Sequence, residues 1–411
     1  MLFLRPDDGF GLAGVGEAGS LVSDGPGRFV RADGAWRAIA GGAVTSGDGT
    51  PIALYGFAFE DGGGAWNGYP AGLLVTPRVA VLGGGDDTRL ILSTTVDPED
   101  RSSAAVDATI ACLRGCTGAG AVTSPAASAV PLQVVGEFPA EAEWKRSVAE
   151  TAQAVRDGRL RKAVLARGIR VRGGRLDPAA ALRRLRREYP ACTTFAIGRG
   201  GRCFLGASPE QLVRVHDGEL HVAALAGSAP RGQTDTLDRR LGAGLLASEK
   251  NRIEHALVVD ALREALAGIA TEIIAADAPR LLTIHNTHHL YTPLRARLRE
   301  RRSVFDLIGR LHPTPAVGGV PRDAALAWIR RHEGWDRGWY AGPVGWSLGR
   351  DGDGDAAVAI RCALVERESA ELFAGCGIVA DSDPEQEFSE SGWKLRPLLS
   401  ALSSATDASR A

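Results

Sequence analysis

Residues 371 to 402, ELFAGCGIVADSDPEQEFSESGWKLRPLLSAL, contain the patterns on which our fold prediction depends. The residues Glu371 to Phe373 fit a strand, and the glycines of Ala374–Gly377 indicate a turn. From about Pro384 to Leu402 the spacing of apolar residues predicts a helix. We therefore expect a strand, a glycine turn and a closing helix at this end of the chain.

The rest of the chain shows the same mixture in blocks, without an internal repeat. Apolar residues at helical spacing, with Asp or Ser at some starts, predict helices over residues 141–158, 177–187, 248–266 and 323–333. Strand patterns cover residues 163–166, 169–171, 194–197, 212–215, 220–225 and 356–365. Because the elements come in blocks and not in regular βαβ alternation, the sequence predicts an α+β fold with large antiparallel sheets.

The first third of the chain differs from the rest. Up to about residue 116, short apolar runs such as Ile52–Phe59 and Gly72–Thr76 alternate with Gly, Asp and Pro clusters, which is a strand-and-turn pattern. Residues 117–131, TGAGAVTSPAASAVP, have the composition of a surface linker. We therefore divide the chain into residues 1–131, which end in this linker, and residues 132–411, and expect one structural unit.

The overall composition argues against several classes of partner. The 48 Lys and Arg residues nearly cancel the 49 Asp and Glu residues, so the net field favours neither nucleic acid nor an anionic membrane. Six scattered cysteines fit neither a zinc pattern nor a disulfide scaffold. Arg5 and Pro6 interrupt the N-terminus before an apolar signal region could form, and no stretch is long and apolar enough for a membrane span, so we expect a cytoplasmic protein.

Acidic residues on two predicted helices are candidates for metal binding. Glu387 and Glu390 are three residues apart, so a helix places both carboxylates on one face, and Lys394 follows one turn later. Two acids and a base suit a hard cation with an anionic ligand, and magnesium takes such oxygen ligands. Glu254, on the helix over residues 248–266, completes the site if the two helices meet. The alternatives are a solvated glutamate at 254 and an ordinary salt bridge between Glu390 and Lys394.

Two further residues are candidates for proton transfer. Lys162 opens the apolar strand KAVLA, where burial favours the neutral amine that a base requires, although most lysines at strand ends extend into solvent. Glu210 lies in the turn GASPEQL, where a strand end can present an acid, although a solvated turn carboxylate gives the same pattern.

Glycine-containing turns are candidates for binding carboxylates. They occur at Ala226–Gly232, Thr314–Gly319 and Ala374–Gly377, and backbone N–H groups in such turns can bind anions. None of them is a phosphate-binding loop, so nucleotide binding is unsupported.

Taken in order, these segments resemble the chorismate-utilising enzymes, which comprise isochorismate synthases, salicylate synthases, anthranilate synthase large subunits and aminodeoxychorismate synthases. The resemblance spans residues 144–399. It rests on nine motifs in the family's order: KAVLAR at 162–167, FLGASPE at 204–210, LAGSAPRG at 225–232, SEKNRIEH at 248–255, HHLYT at 288–292, LHPTPAVGGVP at 311–321, RGWYAGPVGW at 337–346, AIRCALV at 359–365 and AGCGIVADSDPEQEFSESGWK at 374–394.

This resemblance implies two large antiparallel sheets packed together, with helices outside and the active site in a cleft. Residues 132–411 would be the chorismate-binding catalytic region, and residues 1–131 the more variable half. Glu254 and Glu390 would bind magnesium, with Glu387 acting through metal-bound water. The implied substrate-binding residues are Gly227, Ser228, His289, Tyr340, Arg361, Gly375, Cys376, Gly377 and Lys394, and the role of His289 near the ring is left open.

Within the family, three features favour an isochorismate synthase. Lys162 occupies the place of a water-activating lysine, where ammonia-using anthranilate synthases have a glutamine. Ala226 stands where aminodeoxychorismate enzymes have a nucleophilic lysine, and TPAVGG at 314–319 is similar to the isochorismate form of its segment. The implied mechanism is attack at C2 by water that Lys162 deprotonates, while Glu210 protonates the departing C4 hydroxyl.

Two rival functions stay open at this point. A salicylate synthase would continue from isochorismate to release pyruvate, and a regulatory subunit would bind chorismate without turnover. Water as the nucleophile implies no glutamine amidotransferase partner. Whether the product serves menaquinone, a siderophore or another aryl acid depends on partner enzymes.

Overall fold

The computed structural model describes residues 1–47, 49–62, 66, 68–85, 87–97, 103–118 and 131–403, which form two kinds of regular element. The strands are β1 (Leu2–Arg5), β2 (Phe10–Val15), β3 (Gly19–Val22), β4 (Ile52–Phe57), β5 (Gly72–Thr76), β6 (Val79–Gly84), β7 (Asp87–Leu92), β8 (Gln133–Phe138), β9 (Lys162–Arg172), β10 (Thr193–Arg199), β11 (Arg202–Ser208), β12 (Gln211–His216), β13 (Glu219–Pro230), β14 (Ala270–Ala275), β15 (Arg280–Thr283), β16 (Thr287–Leu298), β17 (Gly319–Val320), β18 (Pro343–Leu348), β19 (Asp353–Val358), β20 (Cys362–Val365) and β21 (Ser369–Ile378). The helices are α1 (Arg28–Gly42), α2 (Ala104–Gly118), α3 (Glu141–Arg156), α4 (Pro178–Glu188), α5 (Asp235–Ala247), α6 (Glu249–Ala267), α7 (Val304–Leu311), α8 (Arg322–His332) and α9 (Pro384–Leu402).

The strands form two large antiparallel sheets. The first has the order β17, β9, β21, β20, β11, β10, β1, β2, β6, β7, and β8 also pairs with β9. The second has the order β14, β16, β13, β12, β19, β18, β4, β5, β3, and β15 also pairs with β16. Since β1 pairs with β10 and β4 pairs with β18, the N-terminal strands extend the same sheets that the rest of the chain builds.

Alternating side chains of the first sheet enter two different cores. Phe195 and Phe204 belong to the core shared with the second sheet, whereas their neighbours Ala196 and Leu205 belong to a core shared with α4 and α9. Because successive strand residues point to opposite faces, the second sheet covers one face and helices cover the other. The predicted α+β architecture of two packed sheets with outer helices is confirmed.

Several helix ends follow from local sequence. Asp177 caps α4 by accepting hydrogen bonds from the N–H groups of Ala179 and Ala180, and Pro178 takes the first helical position. The predicted closing helix matches α9 at both ends. Among the described residues, no helix combines the length and apolar character that crossing a bilayer requires.

Three predictions of local structure are wrong or incomplete. The glycines of Ala374–Gly377 lie inside β21 and not in a turn. Most of the Ala226–Gly232 segment belongs to β13, where a bulge at Gly227 replaces the expected turn. The single strand expected over residues 356–365 is broken by Arg361, whose φ of 50° ends the extended backbone between β19 and β20.

The predicted linker over residues 117–131 falls mostly outside the described residues. Helix α2 continues to Gly118, and residues 119–130 are not described. The division of the chain at residue 131 therefore stays a prediction.

Candidate active site

Two helices bring the predicted acidic residues together. Glu254 of α6 and Glu387 and Glu390 of α9 line one cavity of about 70 Å³. A cavity that binds benzene measures about 150 Å³, so side chains have to rearrange before a substituted ring can enter. The second sheet supplies the wall opposite α9 through β13 and β16.

The start of α6 fixes the direction of Glu254. Ser248 caps the helix and accepts hydrogen bonds from the backbone N–H and the side-chain amide of Asn251. Glu254 follows one turn later and is 9% exposed. A Cβ atom at Gly377 of β21 would collide with the Glu254 carboxylate and with Cε of Lys162, so glycine leaves the space that these two side chains occupy.

The start of α9 places the second acidic pair. Asp383 caps the helix by accepting from the N–H of Gln386 at 3.0 Å. Glu387 is buried, and its Oε1 accepts a hydrogen bond of 2.8 Å from the Ser382 hydroxyl. Burial, followed by the negative charge of Glu390, raises the pKa of Glu387 above the usual range of a glutamate.

Each of these three carboxylates is paired with a lysine. Glu254 Oε1 lies 2.9 Å from Nζ of Lys162, Glu387 Oε1 lies 2.9 Å from Nζ of Lys250, and Glu390 Oε1 lies 2.7 Å from Nζ of Lys394. Three carboxylates around one cavity need compensating cations, because burying an unpaired carboxylate costs free energy.

The acidic residues fit a hard divalent cation. Carboxylate oxygens are the ligands that magnesium prefers, and the repulsion that raises the pKa of Glu387 would be relieved by such an ion. Ligand atoms of Glu387 and Glu390 lie within 4.8 Å of one another and of the Cys376 sulfur, whereas Glu254 is not part of this tight group. Burial raises the pKa of the Cys376 thiol well above its usual value, so the oxygens are the better candidates for magnesium.

Lys162 is a buried lysine whose amine lies beside one carboxylate among the described residues. It is the first residue of β9 and is 0% exposed. Although its Nζ lies 2.9 Å from Glu254, no acceptor among the described residues is aligned with it for a hydrogen bond. It does not line the cavity and reaches it only beside Glu254.

Glu210 has the properties of a protonated acid. It is buried between β11 and β12, and burial raises its pKa to about 7, although Lys162 and a hydrogen bond from Thr314 favour the ionised form. The Thr314 hydroxyl donates to Oε1 of Glu210 at 3.3 Å. A carboxyl with this pKa can give up a proton near neutral pH.

Cationic groups at the cavity are suited to the carboxylates of a ligand. Arg361 is buried, and its Nε has no hydrogen-bond acceptor among the described residues. Its backbone is left-handed, so Arg361 does not continue the extended backbone of β19 or β20. Lys394 donates to the carbonyl of Gly375 at 2.8 Å, so its ammonium group is fixed at the cavity wall.

His289 is held as a neutral imidazole beside these cations. Burial, followed by the charge of Arg361, lowers its pKa well below the usual value of a histidine. Nη2 of Arg361 lies 3.5 Å from Nε2 of His289, and Nδ1 lies 2.9 Å from the Ser228 hydroxyl. An arginine only donates, so Nε2 is the acceptor and Nδ1 donates to Ser228, which leaves the serine proton free for a ligand.

Most predicted site residues reach this cavity. Those that line it are Glu210, Gly227, Ser228, Glu254, His289, Tyr340, Arg361, Gly375, Gly377, Glu387, Glu390 and Lys394. The side chain of Cys376 does not line the cavity: it packs with Trp144, Val148 and Leu165, and its sulfur lies behind the wall, 3.8 Å from Nζ of Lys394. The roles of all these residues stay predictions.

Three polar residues were missed by sequence reasoning although the quoted motifs contain them. Lys250 and Asn251, from SEKNRIEH, line the cavity. Thr314, from LHPTPAVGGVP, contacts Glu210. The helical offset between residues 250 and 254 is one turn, which could have placed Lys250 on the face of Glu254.

A larger groove of about 660 Å³ runs along another side of α6, past Arg252, Asp260 and Arg263. None of the predicted site residues lines it, so the smaller cavity is the candidate active site.

Comparisons with known proteins indicate one enzyme family. The family model described as chorismate binding enzyme matches residues 1–403. The chain is 40% identical over 387 residues to the salicylate biosynthesis isochorismate synthase of Pseudomonas aeruginosa, covering 93% of this chain and 81% of that protein. It superposes on the menaquinone-specific isochorismate synthase of Escherichia coli with a TM-score of 0.79 and 26% identity, over 98% of this chain and 88% of the other.

A more distant structure shares the fold alone. Anthranilate synthase component I of Streptococcus pneumoniae matches with a TM-score of 0.76 and 20% identity, over 95% of this chain and 92% of that chain. The predicted fold type is therefore confirmed.

Proposed function

The chain belongs to the chorismate-binding enzyme family, and we propose that it is an isochorismate synthase. The observation that supports this most strongly is a pair of buried residues: Glu210, an acid of raised pKa that lines the cavity, and Lys162, whose Nζ lies 2.9 Å from the cavity-lining carboxylate of Glu254. A displacement at a hydroxylated ring needs one group to take a proton from the nucleophile and another to protonate the leaving group. These two residues supply both.

The cationic residues would orient the substrate. Chorismate has two carboxylates, and the unpaired Nε of Arg361 and the ammonium of Lys394 are the groups suited to bind them. The free proton of the Ser228 hydroxyl adds a donor beside them. Fixing a dianion in this way holds C2 and C4 in place for reaction.

The proposed displacement uses Lys162 as the base and Glu210 as the acid. Water forms a bond to C2 and gives a proton to Nζ of Lys162, the two ring double bonds each shift by one position, and the C4–O bond breaks as Glu210 gives its proton to the departing oxygen. One water enters and one leaves, so the product is an isomer of the substrate. Lys162 has to give up its contact with Glu254 to accept the proton.

Glu254, Glu387 and Glu390 would hold a magnesium ion. Bound there, magnesium would supply a fixed positive charge for a carboxylate of the substrate. Glu254 and Glu390 are proposed as ligands, and Glu387, the most buried of the three, as a residue that acts through bound water.

The absence of an amine at position 226 favours water as the nucleophile. Ala226 lines the cavity, and a methyl group there offers no amine for covalent attack on the ring. Because water activated by Lys162, and not ammonia, is the proposed nucleophile, we propose that no glutamine amidotransferase subunit is needed. The pathway that uses the product, menaquinone or siderophore synthesis, and the cytoplasmic location stay predictions.

Product analysis tests the proposal. Purified protein, chorismate and magnesium are expected to give isochorismate without pyruvate, measured by chromatography with mass spectrometry and by a coupled pyruvate assay. Stoichiometric pyruvate with salicylate would assign the rival lyase reaction, and unchanged chorismate would assign a regulatory role.

A further inference from the structure

Lys250 is the cavity cation for which the proposed reaction has no use. Lys162 would act as the base and Lys394 would bind a substrate carboxylate, but Lys250 has neither of these roles. It lies on the first turn of α6, where its side chain is 31% exposed and its Nζ donates to Oε1 of Glu387 at 2.9 Å. The acidic residues around Lys250 are the ones proposed to hold a metal, so the presence of a lysine among them requires an explanation.

The surroundings of Lys250 contain all three carboxylates. Burial opposes its charge, but Glu387, Glu254 and Glu390 together raise its pKa above the usual value of a lysine. The charge of Lys250 thus lies among all three carboxylates.

The contacts of Glu387 lead to the same conclusion. Oε1 of Glu387 already accepts from Lys250 and from Ser382, so neither a cation nor a water bound to it can take the place of these contacts without displacing a donor.

We propose that Lys250 is the resident counter-cation of the acidic group, which a divalent cation displaces when it binds. The lysine would keep the carboxylates compensated in the metal-free protein and lower their affinity for the metal. This inference rests on the proposed function, because it assumes that the three glutamates hold a divalent cation. Lys250 would therefore set the metal concentration at which the site fills.

Metal titration without substrate tests this role. Lys250→Met keeps the length of the side chain and removes its charge, and we expect it to bind Mn²⁺ or Mg²⁺ about tenfold more tightly than the wild type by calorimetry. The matched control is Lys145→Met, because Lys145 pairs with Glu141 and Glu385 outside the cavity and loses the same charge. Equal or weaker metal binding by Lys250→Met would overturn the proposal.

A second measurement uses the wild type and does not depend on the stability of a variant. Reductive methylation followed by mass spectrometry is expected to label Lys250 faster when Mg²⁺ is present, while Lys145 is unchanged. Slower or unchanged labelling of Lys250 would contradict displacement. If the wild type converts chorismate and binds Mg²⁺ but Lys250→Met shows no gain, only this inference fails; if the wild type binds no divalent cation, the metal part of the proposed function fails with it.

Discussion

Burial raises the pKa of Glu210 to about 7, whereas Lys162 and the Thr314 hydroxyl favour its ionised form. The residue has to be protonated to give a proton to the leaving group. The protonated fraction falls as the pH rises through this pKa, so turnover should decline on the alkaline side of about pH 7. Because burial and these two contacts act on the pKa of Glu210 in opposite directions, the loss of a single contact should shift the pH at which turnover declines.

The hydrogen bond from Thr314 to Glu210 can be removed with little change in the shape of the side chain. Thr314→Val deletes the hydroxyl that donates to Glu210, so the pKa of Glu210 should rise and the alkaline decline of kcat should move to higher pH. The measurement is a pH profile of kcat. Thr271→Val is the control, since Thr271 is exposed and its hydroxyl contacts the backbone of Arg297. If the alkaline decline of kcat in Thr314→Val stays in place or moves to lower pH, Glu210 is not the acid.

At the scale of elements, the site depends on how closely β21 approaches α6. Gly377 of β21 leaves room for the Glu254 carboxylate and for the Lys162 side chain. The same strand carries Gly375, where a Cβ atom would lie 2.8 Å from the Tyr340 hydroxyl. Glycines inside this strand therefore make space for the site and do not form the turn that the sequence pattern indicated.

Gly377→Ala tests this approach. The added methyl group should separate Lys162 from Glu254 and lower kcat by about 10²-fold or more, because proton transfer depends on position. The matched control is Gly392→Ala in α9, where a Cβ atom meets nothing within 4 Å, so turnover should be unchanged. Circular dichroism checks that both variants fold, and wild-type turnover by folded Gly377→Ala would show that the close approach does not matter.

The helices were predictable because their signals are local. Asp177 and Ser248 cap α4 and α6, and the pattern from Pro384 to Leu402 reproduces α9. The bulge at Gly227 was not predictable, because it arises from a shift in pairing between β13 and the distant strand β16. The left-handed backbone of Arg361 likewise depends on packing between strands.

At the scale of the whole molecule, the charges of the site nearly balance. Four carboxyl groups face four cationic groups among the described residues: Glu210, Glu254, Glu387 and Glu390 against Lys162, Lys250, Arg361 and Lys394. A divalent cation and a dianionic substrate leave this balance unchanged when both bind, whereas either one alone disturbs it. The sequence identified seven of these eight groups. The pair of Glu390 and Lys394 lies within α9 and was predictable from their spacing, whereas the pair of Lys250 and Glu387 depends on α6 meeting α9, and the pair of Lys162 and Glu254 on β9 meeting α6.

The central claim is that water attacks the ring and that Lys162 takes its proton. The most direct measurement is the reaction of chorismate with magnesium in H₂¹⁸O, with the product identified by mass spectrometry and ¹³C NMR. The account predicts isochorismate with one solvent oxygen on C2 and no pyruvate, and no product from Lys162→Ala although that variant still binds chorismate. Isochorismate without solvent oxygen, stoichiometric pyruvate, or near wild-type turnover by Lys162→Ala would contradict it.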